Sequence, residues 1–168
     1  QNQQQILGDT MTFLISILIR HPEIATLNFD PQKKQIQFTY IIKGAYPKQK
    51  EEEISQKLRK AIRIYHTMEK NSAFSYLDIY WKNVLQFSYL IVVRDLTEFT
   101  LNELNFMNCL IKEYIPELLP ADSNEKWEES SYLQEEIIGY ALDDMKAENF
   151  DKKVIAFREE GRVMVFSK

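Results

Sequence analysis

Two histidines limit the acid–base and metal chemistry that the sequence can support. His66 is followed three residues later by Glu69, and residues at this spacing meet on one face of a helix. We expect a surface ion pair here, because a metal site needs three or more converging ligands. His21 closes a predicted helix and is expected to interact with the terminal carbonyl groups of that helix. The sequence therefore predicts no metal site.

Clustered carboxylates recur along the chain without marking an acid–base site. They stand at 51–53, 128–129, 135–136 and 143–144. The first and third sets fall near predicted helix starts, where the helix dipole stabilises anions. Glu136, Tyr140 and Asp143 share one helix face and could approach a cation, but we expect that face to be solvated on amphipathicity alone.

Motifs for phosphate binding and nucleophilic catalysis are missing from the sequence. The glycines are scattered, so no glycine-rich loop can surround a phosphate with backbone amides. No Gly-x-Ser-x-Gly elbow occurs either. The single cysteine, Cys109, lies in an apolar stretch and is expected to be a small buried residue rather than a reactive thiol. We expect no catalytic residues and no cofactor.

Aromatic residues crowd one predicted hairpin and form the candidate ligand or partner surface. They are Tyr76, Tyr80, Trp81, Phe87 and Tyr89. By strand alternation Tyr76 shares a side with Tyr80, and Phe87 shares a side with Tyr89. Such a side could stack a planar ligand or bind a partner if it faced solvent. Burial under helices is the preferred interpretation, because aromatic residues favour strands for packing reasons.

Hydrophobic periodicity predicts an α+β fold in which helices pack on antiparallel β-hairpins. The predicted order is α-β-β-α-β-β-α, followed by a further α-β-β unit. The strands are expected at 25–29, 36–42, 76–81, 84–93, 154–157 and 163–166. The second hairpin is expected to turn at Lys82-Asn83. An apolar stripe from Ile54 to Met68 predicts the second helix, and a capping box of Thr100 and Glu103 begins the third.

The first predicted helix, from Asp9 to Arg20, is apolar on nearly every side. A helix without a polar face is buried on several sides or covered by a partner. Phe13, Ile15 and Ile19 are therefore candidate residues of an oligomer interface. The apolar run in this helix is too short to span a membrane, since a span needs about 20 apolar residues.

Three regions are predicted along the chain: a main α+β domain at 1–116, an acidic linker at 117–130 and an α-β-β unit at 131–168. The linker contains two prolines and the segment Ala121-Asp122-Ser123-Asn124, a composition typical of turns. The last unit is too short to bury a core of its own. We expect it to dock on the main body or on a partner subunit.

The composition disfavours general nucleic-acid binding. The formal net charge is −4, so the chain as a whole lacks the positive field that binds nucleic-acid backbones. A patch of Lys57, Arg59, Lys60 and Arg63 is the local exception, although nearby acids balance it. A lone cysteine fits a reducing, cytoplasmic compartment.

These features together lead us to expect a non-enzymatic interaction or regulatory module that self-associates or binds a protein partner. The hypothesis depends on the first helix without a polar face, the terminal hairpin after an acidic linker, and the missing catalytic clusters. The alternative is a small-ligand-binding or enzymatic domain with a pocket beside the aromatic hairpin at 76–89.

Overall fold

The computed structural model describes residues 3–70, 76–119, 153–159 and 162–167. These residues form an α+β fold with three helices and six strands, as the periodicity predicts. In chain order they are α1 (Gln3–Arg20), β1 (Thr26–Asp30), β2 (Gln35–Lys43), α2 (Lys48–Lys70), β3 (Leu77–Val84), β4 (Phe87–Asp95), α3 (Leu101–Tyr114), β5 (Val154–Glu159) and β6 (Arg162–Ser167). None of these helices is long and apolar enough to cross a membrane.

Several predicted features lie outside the described residues. They are most of the acidic linker, including Trp127, the helix expected after residue 131, and the face of Glu136, Tyr140 and Asp143.

All six strands join one antiparallel sheet in the order β3-β4-β2-β1-β5-β6. The central strand β2 pairs with β4 on one side and with β1 on the other, so Tyr40 stands opposite Leu90 and Phe38 opposite Leu27. Strand β5 pairs with β1, and Ala156 stands opposite Leu27. The hairpin near the end of the chain therefore extends the same sheet as the first two hairpins.

The helices pack on one face of the sheet, which we call the inner face. Alternation along β2 places Ile36, Phe38, Tyr40 and Ile42 on this face, and all four are fully buried. Such alternation is expected of a strand with one face on the core. Side chains of α1, α2 and α3 complete the core, including Phe13, Leu14, Ile17, Leu18, Leu58, Ile62, Leu104 and Ile111.

The β1–β2 turn lies in the Asp-Pro-Gln-Lys-Lys segment between the first two predicted strands. Asp30 Oδ1 accepts hydrogen bonds from the backbone amides of Gln32 at 3.1 Å and Lys33 at 3.3 Å. An aspartate that bonds backbone two residues ahead stabilises a tight turn. The turn ends at Lys34, which adopts a left-handed φ of 51°.

The predicted stripe of α2 is wrong at its end. Ile54, Leu58 and Ile62 are buried as expected, but the next buried side chain is His66, at 2% exposure, whereas Met68 is 82% exposed. The buried row advances in steps of four residues, so it reaches position 66. The sequence prediction extended the row to Met68 instead, because Met68 is more apolar than His66. The predicted surface pair of His66 with Glu69 is therefore wrong, because His66 is interior.

The β3–β4 hairpin turns later than predicted. Lys82 and Asn83 lie within β3 and pair with β4, and the turn residues are Leu85 and Gln86. The prediction relied on the turn preference of asparagine. Cross-strand pairing has overridden that preference, because the longer strands continue the ladder to the pair Val84 and Phe87.

Helix α3 begins at the predicted N-cap. Thr100 is extended, with φ −125° and ψ 159°, and its side chain accepts a hydrogen bond from the backbone amide of Glu103 at 3.1 Å. Cys109, predicted to be buried, is exposed. The helix buries Leu104, Met107, Asn108 and Ile111, so Cys109 falls on the solvent side even though its neighbours in sequence are apolar.

Arg158 of β5 closes the C-terminal end of α1. Its guanidinium group donates hydrogen bonds to the carbonyl oxygens of Leu18, His21 and Ile24, the last two at 2.9 and 3.2 Å. A cation is favourable there because the carbonyl groups that end a helix lack partners and carry partial negative charge. His21 was predicted to interact with these carbonyl groups. Its imidazole ring instead lies in the interior.

Candidate functional site

Trp81 is separated from the other aromatic residues of the predicted surface. It stands opposite Leu90 and faces the helices, where its Nε1 donates a hydrogen bond to Ser55 Oγ of α2 at 2.8 Å. The ring also lies against Tyr46, with 6.0 Å between ring centroids. Aromatic pairs at this distance contribute to packing. Trp81 therefore holds the β3–β4 hairpin against α2.

The opposite side of the sheet, which we call the outer face, brings together three residues of the predicted surface: Tyr80, Phe87 and Tyr89. Their register across the hairpin places all three on this face. Phe87 is exposed, while Tyr80 and Tyr89 are half-buried. Tyr76, which precedes β3, is exposed as well. The prediction that Phe87 and Tyr89 share a side agrees with this register. Tyr76 precedes the paired residues, so its predicted position on the side of Tyr80 stays a prediction.

Tyr80 is the polar centre of this aromatic group. Burial raises the pKa of its hydroxyl, and the neighbouring Asp78 and Tyr76 raise the pKa further. The protonated hydroxyl lies 3.3 Å from Gln37 Oε1, and the Lys82 ammonium lies 6.0 Å from the centroid of the tyrosine ring. This part of the outer face therefore offers aromatic surface together with a positive charge.

The turn of the hairpin projects an apolar tip. Leu85 has a φ of 55° and is 91% exposed. A left-handed backbone costs a residue with a side chain about 1–2 kcal/mol relative to a right-handed one. Val84 and Phe87 beside it are exposed too. The folding of this chain gains little from an apolar side chain at this position.

A buried ion pair lies at the junction of β4, α2 and α3. Arg94 is fully buried, and its Nε and Nη2 donate to the two carboxylate oxygens of Glu103 at 2.8 and 2.7 Å. Its Nη1 donates to the backbone carbonyl oxygen of Tyr76 at 2.9 Å. This two-bond geometry is the strongest form of the arginine–carboxylate contact. Because both carboxylate oxygens of Glu103 bond Arg94, the Glu103 side chain does not reach back to the N-cap, as the second contact of a capping box would require.

His66 completes this cluster. Its Nδ1 lies 3.4 Å from Arg94 Nη2 and its Nε2 lies 3.9 Å from Glu98 Oε2. Guanidinium nitrogens only donate, so the first contact is a hydrogen bond only when Nδ1 carries a lone pair and Nε2 carries the proton. The group that looked like a surface histidine thus belongs to an interior network joining three elements.

A second interior network runs from the sheet to the surface. Tyr40 Oη donates to Asn108 Oδ1 at 2.5 Å, and Asn108 Nδ2 lies 3.0 Å from His21 Nδ1. Glu23 follows, 3.5 Å from the same imidazole nitrogen, and Lys112 lies 3.6 Å from the other Glu23 oxygen. The buried polar atoms of this network thus have hydrogen-bonding or ionic partners, as interior polar groups require.

The charge of Glu23 is favoured within this network. Burial alone raises the pKa of the carboxyl, but a hydrogen bond with His21, the backbone amide and the Lys112 ammonium outweigh burial and lower it. Burial, reinforced by the Glu23 charge, raises the pKa of the Tyr40 hydroxyl well above its usual value. The network is therefore a protonated tyrosine and an ionised glutamate joined through an amide and an imidazole.

Metal binding has no support from the part of the chain that the structure describes, since no group of three or more His, Cys, Asp or Glu side chains there could hold an ion.

The basic patch on α2 is partly used within the fold. Arg59 donates to the Ile79 carbonyl oxygen at 3.0 Å and lies 3.9 Å from the Asp78 carboxylate. Lys57 lies over the ring of Tyr114 at 5.7 Å. Lys60 and Arg63 are exposed. Two of the four basic side chains, Arg59 and Lys57, thus contact neighbouring residues of the fold.

The two edges of the sheet differ in chemistry. Edge strand β3 carries charges at Asp78 and Lys82, and Arg59 of α2 bonds its backbone. Edge strand β6 has the sequence Arg-Val-Met-Val-Phe-Ser, with no charge after its first residue. Phe166 is 55% exposed, and Met164 is also exposed. Proteins usually place charges, prolines or bulges on an edge strand because its backbone can pair with another chain.

The candidate oligomer residues of α1 occupy different environments. Phe13 is fully buried, Ile15 is half-buried and Ile19 is exposed. The helix lies against β1, β5 and β6, so the sheet of the same chain covers much of its apolar surface. The interface role predicted for these residues stays a prediction, and Ile19 is the residue best placed for it.

Comparison with protein-family models, with curated proteins and with solved structures finds no match to this chain.

Sequence reasoning missed several residues that organise the structure. Arg94 directly follows the apolar run from Leu90 to Val93 and precedes Asp95, and a charge at the end of such a run was the available signal for an interior ion pair. Arg158 follows an apolar strand in the same way. Glu23, Asn108 and Tyr40 gave no such signal, because the elements that bring them together are far apart in the chain.

Proposed function

We propose that this chain is a non-enzymatic interaction module that self-associates through strand β6. The observation that carries the proposal is the apolar edge of the sheet at β6, which pairs with no further strand among the residues that the structure describes. An exposed edge strand offers a row of backbone hydrogen-bonding groups, and exposed Met164 and Phe166 add apolar surface beside it. The contrast with the charged edge at β3 favours β6 as the edge that pairs.

A second copy of the same strand is the partner that fits this edge. Most homo-oligomers are closed by a two-fold axis, which places the same surface of both copies in contact. If β6 pairs with itself in antiparallel fashion about Val165, Met164 of one copy lies opposite Phe166 of the other. Apolar cross-strand pairs of this kind stabilise a sheet by about 0.2–1 kcal/mol each. The two sheets then become one continuous sheet.

The self-association predicted from the apolar first helix thus has a different proposed location. Most of the apolar surface of α1 lies against its own sheet, and β6 presents exposed apolar side chains next to a backbone edge that no other described strand pairs. The helix position Ile19 remains an alternative contact that the same experiment can distinguish.

Light scattering and sedimentation over a micromolar concentration series test this proposal. We expect the natural chain to form dimers and Phe166→Lys to shift the equilibrium strongly toward monomer. Ile64→Lys is the matched control, because Ile64 is an exposed apolar residue on α2 and its replacement should leave the dimer intact. A natural chain that stays monomeric at high micromolar concentration would contradict the proposal. Dissociation by Ile19→Asp but not by Phe166→Lys would place the contact on α1 instead.

A further inference from the structure

The tip of the β3–β4 hairpin combines exposure, apolar chemistry and an unfavourable backbone at one residue. Leu85 stands almost wholly in solvent with a left-handed φ of 55°. Asparagine or glycine would adopt that backbone conformation more easily. Packing within the described chain does not account for leucine here, so the side chain has another use.

Apolar neighbours widen the tip. Val84 and Phe87 form the last cross-strand pair before the turn, and both are exposed. Together with Leu85 they make an apolar wedge at one end of the sheet, on the opposite edge from β6. A projecting wedge presents apolar side chains without a groove around them. Such a shape suits insertion into a deformable surface such as a lipid bilayer.

Lysines border the wedge on the outer face. Lys43 stands opposite Phe87 in the β2–β4 register, and Lys82 stands opposite Tyr89 in the β3–β4 register. Both lysine side chains are exposed. Tyr89 lies on β4 between the two strands that carry these lysines, and Tyr80 lies beside Lys82 on β3. Aromatic rings with a polar end prefer the boundary between water and apolar phases.

We propose that this hairpin tip, formed by Val84, Leu85 and Phe87 with Lys43 and Lys82 behind it, docks on an anionic lipid surface. The apolar side chains enter the boundary of the acyl chains, while the lysines remain at the depth of the negatively charged headgroups. Apolar insertion and electrostatic attraction act together in peripheral membrane binding. The charge complementarity is local, because the chain as a whole is acidic. This inference is independent of self-association through β6.

Vesicle co-sedimentation tests the proposal with two lipid compositions, phosphatidylcholine alone and an equimolar mixture with phosphatidylglycerol. We expect binding to the anionic vesicles that weakens as salt is added, and little binding to phosphatidylcholine. Each of Lys43→Glu and Lys82→Glu should weaken binding by about fivefold or more, since a basic residue near an anionic surface contributes on that scale.

Leu85→Asn distinguishes the contribution of the apolar side chain to vesicle binding from its effect on the stability of the fold. It should weaken vesicle binding by about tenfold or more, because the variant lacks the apolar side chain whose transfer out of water favours binding. Its thermal midpoint should be equal to or higher than that of the natural chain, since asparagine tolerates the left-handed backbone. Lys34→Asn is the matched control: Lys34 also has a positive φ in a hairpin turn, so it should gain the same relief with unchanged binding.

Several outcomes would overturn the proposal. They are a natural chain that does not bind anionic vesicles, equal binding to both lipid compositions, and a Leu85→Asn variant that binds as tightly as the natural chain. A Leu85→Asn variant with an altered oligomeric state would show that the tip contacts a second copy, which also overturns it. Phe166→Lys should bind vesicles normally, so failure of the self-association proposal is recognised separately.

Discussion

Individual buried charges explain much of how the three helices are held on the sheet. Arg94 has no exposed surface, and both oxygens of Glu103 bond it. An interior ion pair of this kind adds little stability compared with apolar residues of equal size, but loss of one partner leaves a buried charge uncompensated. We infer that the pair favours this arrangement of β4 and α3 over arrangements that would separate the two charges.

Replacement of Glu103 alone should therefore lower the free energy of unfolding far more than replacement of both Arg94 and Glu103 by apolar residues. We expect Glu103→Gln to lower the free energy of unfolding by about 3 kcal/mol or more. The double variant Arg94→Met with Glu103→Met should recover most of that loss. Urea denaturation measures both, and Glu98→Gln, at a partly exposed carboxylate, is the control with a smaller expected effect. A double variant less stable than Glu103→Gln would contradict this account.

Tyr40 should make the protein sensitive to alkaline pH. Burial raises the pKa of its hydroxyl in the folded chain, and Glu23 raises it further. The unfolded tyrosine ionises at a pKa of about 10, so this contribution to stability is complete below that pH and is lost as the pH rises above it.

The matching experiment compares chemical denaturation of the natural chain and Tyr40→Phe on both sides of that pH. The natural chain should lose stability more steeply above pH 10 than Tyr40→Phe does, although other tyrosines with raised pKa leave some slope in the variant. Equal slopes would show that Tyr40 ionises as easily in the folded chain as in the unfolded chain.

At the scale of elements, alternation predicted the strands and capping predicted the start of α3, whereas the predicted start of α1 at Asp9 is wrong, because the helix already begins at Gln3. The i, i+2 pattern of Ile36, Phe38 and Tyr40 fixed a strand with one buried face, and Thr100 fixed the start of α3. The exact side of each helix was less predictable, because burial depends on what the helix packs against. Asn108 and His66 are buried since each reaches a polar partner on another element, and Cys109 has none of that geometry to bury it.

The turn of the second hairpin shows a related limit. Local preference favoured Lys82-Asn83, whereas pairing with β4 and the contacts of Trp81 extended the strands to Leu85-Gln86. The strands of this hairpin were therefore predicted, and the residues of its tip were missed. Long-range contacts of this sort leave no trace in local periodicity.

Arg158 joins the end of the chain to the first helix and should contribute measurably to stability. Arg158→Met removes a charged donor from the carbonyl oxygen of Leu18 in α1 and from those of His21 and Ile24 after the helix. Hydrogen bonds to a charged group contribute about 1.5–3 kcal/mol. We expect a loss in that range by urea denaturation. Arg59→Met, which removes one hydrogen bond to a backbone carbonyl oxygen at a partly exposed site, should cost less. Equal losses would mean that the bonds of Arg158 add nothing beyond ordinary packing.

At the scale of the whole molecule, one antiparallel sheet carries helices on its inner face and offers three distinct regions elsewhere. The outer face bears Tyr80, Phe87 and Tyr89 of β3 and β4, the turn of that hairpin bears the apolar tip, and the far edge is strand β6, which has no charge after Arg162. We infer that the helices stabilise the fold and that the edge and the tip make the contacts with other molecules.

The most direct test of the central claim is sedimentation equilibrium of two double variants of β6. In the pairing about Val165, Met164→Lys with Phe166→Lys places lysines opposite each other, whereas Met164→Lys with Phe166→Glu places each lysine opposite a glutamate. We predict that the first variant is monomeric and that the second retains the dimer, because like charges directly opposite each other destabilise a sheet and opposite charges stabilise it. Equal association of the two variants would contradict self-pairing of β6.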